Sequence, residues 1–174
     1  MKTIEDYVIS IPDFPKPGIL FRDVTGVIRS PEGFRLAVDE LCRRLEGVDF
    51  DLVAGMESRG FIFGAPVAAR LGKGFLPVRK PGKLPRETIS EDYDLEYGTA
   101  TLEIHKDDVK PGQKVVLVDD LLATGGTAAA AAKLVERLGG EVVRALFLIE
   151  LVDLGGRARL STYAVDSVAG FPGH

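Results

Sequence analysis

Two hydrophobic patterns take turns along the chain: short apolar runs, and apolar positions recurring every three to four residues. Thr3 to Ile11 reads as a short helix, with Thr3 as its cap and Asp6 three residues on. A turn rich in proline comes next (Pro12, Pro15, Pro17, Gly18) and leads into Ile19–Asp23. Ser30-Pro31 starts a helix by the rule of a cap followed by a first-turn proline. Phe34, Val38, Leu41 and Leu45 then share one face. Beyond it the chain alternates. Strands are predicted over Phe50–Gly55, Gly74–Arg79, Thr101–Ile104, Gln113–Asp119 and Val142–Glu150. Between them lie helices over Gly60–Leu71 and Gly126–Leu138, the second stopped by Gly139-Gly140.

Strand–helix alternation with nearly continuous apolar strands predicts an α/β fold, a mostly parallel twisted sheet flanked by helices. Ligands of such sheets sit beyond the carboxyl ends of the strands. The chain has 174 residues and neither a repeat nor a dividing linker, so residues 1–174 are read as one domain. Apolar residues make up 45% and charged residues 28%, a globular balance. No apolar run is long enough to span a bilayer, and MKTIEDYVIS has no signal-peptide core. The single cysteine, Cys42, fits a reducing, cytoplasmic setting. A net charge of −4 argues against nucleic acid as a partner. Against that acidic background Arg79, Lys80, Lys83 and Arg86 form a local basic cluster, either a solvated loop or an anion clamp.

The strongest chemistry lies between Val115 and Thr127. An apolar run, Val115–Val118, ends in Asp119-Asp120, then Leu121-Leu122-Ala123-Thr124-Gly125-Gly126-Thr127 and an alanine-rich helix. Gly125 and Gly126 let backbone N–H groups approach an anion with no Cβ in the way. Thr124 and Thr127 add hydroxyl donors, and the helix turns its positive end to the loop. The string reads as a cradle for one phosphate monoester. Asp119 and Asp120 only accept hydrogen bonds when ionised, so they suit the hydroxyls of an attached ribose, or a divalent cation beside them. The plainer alternative makes Asp120 or Thr124 a helix cap and leaves Asp119 in water. No G-x-x-x-x-G-K-[ST] or G-x-G-x-x-G string occurs, which excludes a Walker A turn and a dinucleotide fingerprint.

Glu57-Ser58-Arg59-Gly60 comes after another strand and opens a helix, so it reads as a second anion cradle with a guanidinium suited to phosphate. Residues 80–98 show weak periodicity and mixed charge, the mark of a long functional or floppy loop. His105 and His174 have no neighbours at metal-ligand spacing.

The motif VVLVDDLLATGGT resembles the phosphoribosyl pyrophosphate signature of the type I phosphoribosyltransferases. FPKPGILFRD, AGMESRGFIFG, RKPGKLP followed by LEYG, and LIELVDLGGR resemble the same family in the same order, over essentially the whole chain. The resemblance implies transfer of a 5-phosphoribosyl group from phosphoribosyl pyrophosphate to adenine, giving AMP and pyrophosphate in purine salvage. It implies that Asp119, Asp120 and Ala123–Thr127 bind the ribose phosphate, and that Ser58, Arg59, Arg79, Lys80 and Lys83 bind the pyrophosphate, with Arg59 also catalytic. Residues 1–30 become a hood, in which Leu20, Phe21 and Arg22 bind the base, with Leu151 or Ile149 on its other face. Residues 80–98 become a flexible lid carrying Glu96, as the catalytic group that handles the purine's proton, and Tyr97. Mg²⁺ enters held mainly by the substrate, with Asp119 and Asp120 nearby. The family also implies a homodimer, to which the apolar stretch Phe61–Ala69 can contribute. Two rivals share the phosphate machinery: an oxopurine phosphoribosyltransferase, and a non-catalytic sensor of phosphoribosyl pyrophosphate.

Overall fold

The run Val115–Val118 alternates its side chains between two cores, and that alternation organises the molecule. Val115 and Leu117 enter one cluster of buried residues, Val116 and Val118 the other. The computed structural model describes residues 1–95 and 97–173. Glu96 and His174, both singled out in the sequence, lie outside the described residues.

Thr3 opens a single helical turn, α1 (Ile4–Tyr7), with Asp6 Oδ2 accepting from Thr3 N at 2.7 Å. The helix expected to run to Ile11 ends there. Ile9–Pro12 forms β1 instead, antiparallel to β2 (Leu20–Asp23), from Ile9 opposite Asp23 to Pro12 opposite Leu20. A capping box starts one turn, but the β-branched Ile9 and Ile11 and a partner strand draw the next residues into extended backbone. After α2 (Thr25–Ile28), Ser30 Oγ accepts from Gly33 N at 3.1 Å and caps α3 (Pro31–Arg43) as expected.

The remaining elements are β3 (Leu52–Met56), α4 (Arg59–Arg70), β4 (Gly74–Val78), β5 (Thr88–Asp94), β6 (Thr99–His105), β7 (Lys114–Leu122), α5 (Gly126–Arg137), β8 (Glu141–Leu151), α6 (Gly156–Arg159) and β9 (Val165–Phe171). A five-stranded sheet in the order β4-β3-β7-β8-β9 is parallel throughout. α3 and α4 cover one face through Val38, Leu41, Phe63 and Val67. α5 covers the other through its alanines, Leu134 and Val135, joined by Leu102 and Ile104 of β6. The expected α/β architecture is present.

Besides β1 and the single-turn helices, two strands were not announced by the hydrophobic pattern. Within residues 80–98, expected as a structureless lid, β5 pairs with β6 from Thr88 opposite His105 to Asp94 opposite Thr99. Its apolar positions Ile89 and Tyr93 pack on the α5 side of the core, and an Arg79–Glu103 bridge ties the hairpin to the end of β4. β9, at the other end of the chain, completes the sheet beside β8. Both strands carry much polar sequence, so only their partners reveal them.

Parallel strands direct their carboxyl ends to one edge of the sheet. There β3 delivers Glu57–Arg59 and β7 delivers the glycine turn. α4 starts close against β7: a Cβ on Gly60 would lie 2.9 Å from Asp119 Oδ1 and 3.1 Å from the Val118 carbonyl. Because Leu117 is buried at the centre of this sheet, Leu117→Ala should lower stability by about 2–5 kcal/mol. Urea unfolding checks this, and an unchanged midpoint would contradict the central placement of β7.

Candidate active site

The site grows out of the end of β7. The strand, expected to end at Asp119, runs on to Leu122, so Asp120 as well as Asp119 stands inside its last residues. Asp120 is 5% exposed and Asp119 half-buried. Gly125 takes a left-handed conformation, φ 87°, and turns the chain into α5. No side chain caps α5. The alternative that Asp120 or Thr124 serves as the cap is therefore not what the fold adopts. The first-turn N–H groups of a twelve-residue helix stay available to an anion beside Ala123–Thr127.

Ser58 and Arg59 come to the same place from the end of β3. Arg59 Nε donates to Asp120 Oδ2 at 2.5 Å, and half of the arginine side chain stays exposed. That bond, with the Asp120 charge, holds the guanidinium still more firmly protonated. Burial first, then the neighbouring Asp120 charge, pushes the Asp119 carboxyl well above the usual aspartate range, while Arg59 opposes the shift. Asp119 Oδ1 accepts from Asp120 N at 2.8 Å, which fixes the orientation of its carboxyl group.

A cleft of about 340 Å³ opens between these parts. Ser58, Arg59, Lys80, Asp119, Asp120 and the whole turn Ala123–Thr127 line it, so the fold brings together the greater part of the expected phosphoribosyl and pyrophosphate residues. The basic cluster separates. Arg79 Nε donates to Glu57 Oε1 at 3.2 Å, Lys83 is exposed outside the cleft lining, and Arg86 pairs with Asp107 and Asp108. The base-binding candidates lie outside that lining too. Phe21 meets Phe14 edge to face at 5.1 Å, and the Arg22 guanidinium sits 4.7 Å from the Phe171 ring centroid. Leu151 is the register partner of Phe171, so the N-terminal hairpin and the ends of β8 and β9 form one neighbourhood. Tyr97 is 81% exposed, with Lys16 Nζ 5.9 Å from its ring centre. His105 is buried, with Nδ1 3.1 Å from Asp108 Oδ2.

Sequence reasoning missed three contributors. Glu57 Oε1 also accepts from Lys80 N at 2.7 Å, so this carboxylate joins the ends of β3 and β4 and orders two of the cations. Tyr93 lines the cleft, and Thr127 Oγ1 lies 3.5 Å from its hydroxyl. Phe171 sits on the unannounced β9. Glu57 stood inside a recognised motif and could have been asked for a partner; Tyr93 and Phe171 needed their strands first.

The model of the phosphoribosyl transferase domain matches residues 37–168. Adenine phosphoribosyltransferase of Agathobacter rectalis is 65% identical over 173 residues, covering 99% of each chain. The crystal structure of adenine phosphoribosyltransferase from Thermoanaerobacter pseudethanolicus aligns with TM-score 0.94 at 57% identity, over 97% of this chain and 98% of that one. The Saccharomyces cerevisiae adenine phosphoribosyltransferase, solved with an imino-altritol bisphosphate and adenine, aligns with TM-score 0.89 at 41% identity, over 95% and 96%. With the glycine turn, the paired aspartates and the parallel sheet all in place, the chain belongs to the phosphoribosyl transferase family, and within it to the adenine phosphoribosyltransferases.

Proposed function

We propose that the chain transfers the 5-phosphoribosyl group from phosphoribosyl pyrophosphate to adenine, releasing AMP and pyrophosphate. The observation that carries this is the uncapped start of α5 beside Asp119 and Asp120, with Ser58 and Arg59 facing the same cleft. A phosphate at Ala123–Thr127 places the ribose hydroxyls toward the aspartates, which accept their hydrogen bonds. The pyrophosphate then extends toward Ser58, Arg59 and Lys80, where the guanidinium and the ammonium take up its developing charge. Arg79 and Lys83 complete that cationic arm, Arg79 held by Glu57.

Displacement at the anomeric carbon develops oxocarbenium character, so the chain must hold the ribose still and exclude water. Residues 80–98 serve as the lid, supported by Tyr93 against the phosphate turn, with Glu96 handling the purine's proton and Tyr97 beside it. Residues 1–30 form the hood. Leu20, Phe21 and Arg22 bind the base there, Phe21 stacking on the purine, with Leu151 on its other face; the contact of Arg22 with Phe171 supports this placement.

The donor set fits Mg²⁺ carried mainly by the substrate: Asp119 and Asp120 offer hard carboxylate oxygens beside the cleft where the ribose would lie. When bound, the ion neutralises charge on the leaving pyrophosphate. A homodimer in the cytoplasm completes the reading. The exposed Ile62 on α4 and the single cysteine support it.

AMP formation from adenine, phosphoribosyl pyrophosphate and Mg²⁺ tests the assignment, with hypoxanthine and guanine alongside. Turnover with adenine is expected. Turnover with oxopurines alone would overturn the reading of Leu20–Arg22, and binding of phosphoribosyl pyrophosphate without turnover would indicate a sensor. Glu96→Gln should lower kcat by about 10²- to 10⁴-fold while leaving the KM for phosphoribosyl pyrophosphate near wild type. An unchanged kcat would remove Glu96 from the mechanism.

Asp119 yields a prediction on stability as well as function. A carboxyl whose folded pKa is raised contributes stability below the ordinary aspartate value, and that stability is lost as pH climbs toward the raised value. Asp119→Asn keeps the acceptor for Asp120 N but removes the buried charge. The Tm of the free variant should therefore exceed wild type more at pH 8 than at pH 5, by about 2–4 °C per kcal/mol relieved. Ribose 5-phosphate should bind it more weakly. Equal melting at both pH values would contradict the burial and repulsion that raise the Asp119 pKa, and unchanged binding would contradict the ribose contact.

A further inference from the structure

We propose that Arg157, clamped to Glu150, is a positioning residue that sets the geometry of the 5-phosphate turn through Gly156; the inference rests on the phosphoribosyl reading of that turn. Neither Arg157 nor Glu150 lines the cleft, so their effect on substrate must pass through the backbone. The contact that passes it has little slack. A Cβ on Gly156 would lie 2.6 Å from the Ala123 carbonyl and 2.7 Å from the Leu122 side chain. From the opposite side, a Cβ on Gly125 would lie 3.0 Å from the Gly156 carbonyl and 3.1 Å from Arg159 Cβ. Two glycines thus meet where the phosphate turn rests on α6, and any shift of α6 moves Ala123 and Gly125.

α6 is a short helix, a single turn on a connection between β8 and β9, and its own backbone bonds do little to fix it. Arg157 supplies what is missing. Its Nε donates to both Glu150 oxygens at 2.9 Å, and one Nη donates to the Val165 carbonyl at 2.9 Å. The other Nη donates to Ser167 Oγ at 3.4 Å, while the Ser167 hydroxyl donates to Glu150 Oε1 at 2.8 Å. The guanidinium fork therefore ties α6 to both β8 and β9, a geometry an ammonium does not reproduce. Glu150 is 6% exposed and is the register partner of Leu122, the residue immediately before the turn. The clamp and the phosphate turn therefore share one reference, the carboxyl ends of β7 and β8.

Binding of two ligands separates positioning from general damage, because only one of them uses the turn. Ribose 5-phosphate reports on Ala123–Thr127; pyrophosphate with Mg²⁺ reports on Ser58, Arg59 and Lys80. Arg157→Ala would leave Glu150 buried without its partner and endanger folding. The test therefore uses Arg157→Lys, which keeps the charge and loses the fork, and Gly156→Ala, which keeps the clamp and crowds the turn. In isothermal titration both variants should bind ribose 5-phosphate about tenfold or more weakly, with pyrophosphate affinity within about twofold of wild type. Equal losses for the two ligands, or no loss for either, would overturn the positioning role. A wild-type protein that fails to bind ribose 5-phosphate would instead remove the phosphoribosyl reading, and this inference with it.

Discussion

A strand apolar on both faces must be covered twice, and Val115–Val118 places that demand at the centre of the sheet. α3 and α4 meet it on one side, α5 and the β5–β6 hairpin on the other. Once β7 is central and its neighbours are parallel, the turns after β3 and β7 must open at the same edge. The site is a consequence of that arrangement: a helix start from one connection and a cationic arm from another converge because the strands beneath them are paired in register.

At that edge the fold accepts local costs. Asp119 and Asp120 are adjacent carboxylates at the end of a buried strand, and only Asp120 has the guanidinium of Arg59 bonded to it. The start of α5 is left without a side-chain cap, although Ser30 caps α3 well elsewhere in the chain. Each feature lowers the stability of the free protein relative to a simple alternative, and under the proposed function each has a use: acceptors for ribose hydroxyls and donors for a phosphate. The large apolar sheet absorbs those costs.

Support for the site comes from residues beyond the glycine turn and the paired aspartates, some at the cleft wall and some behind it. Glu57 joins the strand ends that carry Arg59 and Lys80. Tyr93 leans on the phosphate turn from the hairpin, and Gly156 backs the turn from below, fixed by Arg157 and Glu150. Such contacts set the distance between the Ser58–Arg59 end and the glycine-turn end of one cleft, a quantity to which the proposed transfer is sensitive.

The central strands, the helices that cover them and the glycine turn were legible because their signals are local. An apolar run rich in β-branched residues, a serine–proline helix start and paired glycines after paired aspartates each mean the same thing in most contexts. The resemblance of five short motifs carried the reading on to substrate and reaction. The hidden features were decided by partners distant in sequence. Ile9–Pro12 became a strand because Leu20–Asp23 lies beside it, and Thr88–Asp94 became one because Thr99–His105 does. Tyr93 and the separation of Arg86 from Arg79 and Lys80 follow from the second pairing, while Phe171 and the clamp of Arg157 on Glu150 depend on that of β9 with β8. Periodicity and caps act within a turn or two of helix, so they specify an element's type and its chemistry. Distances between elements arise only when buried faces compete for the same core, and tertiary packing alone sets them.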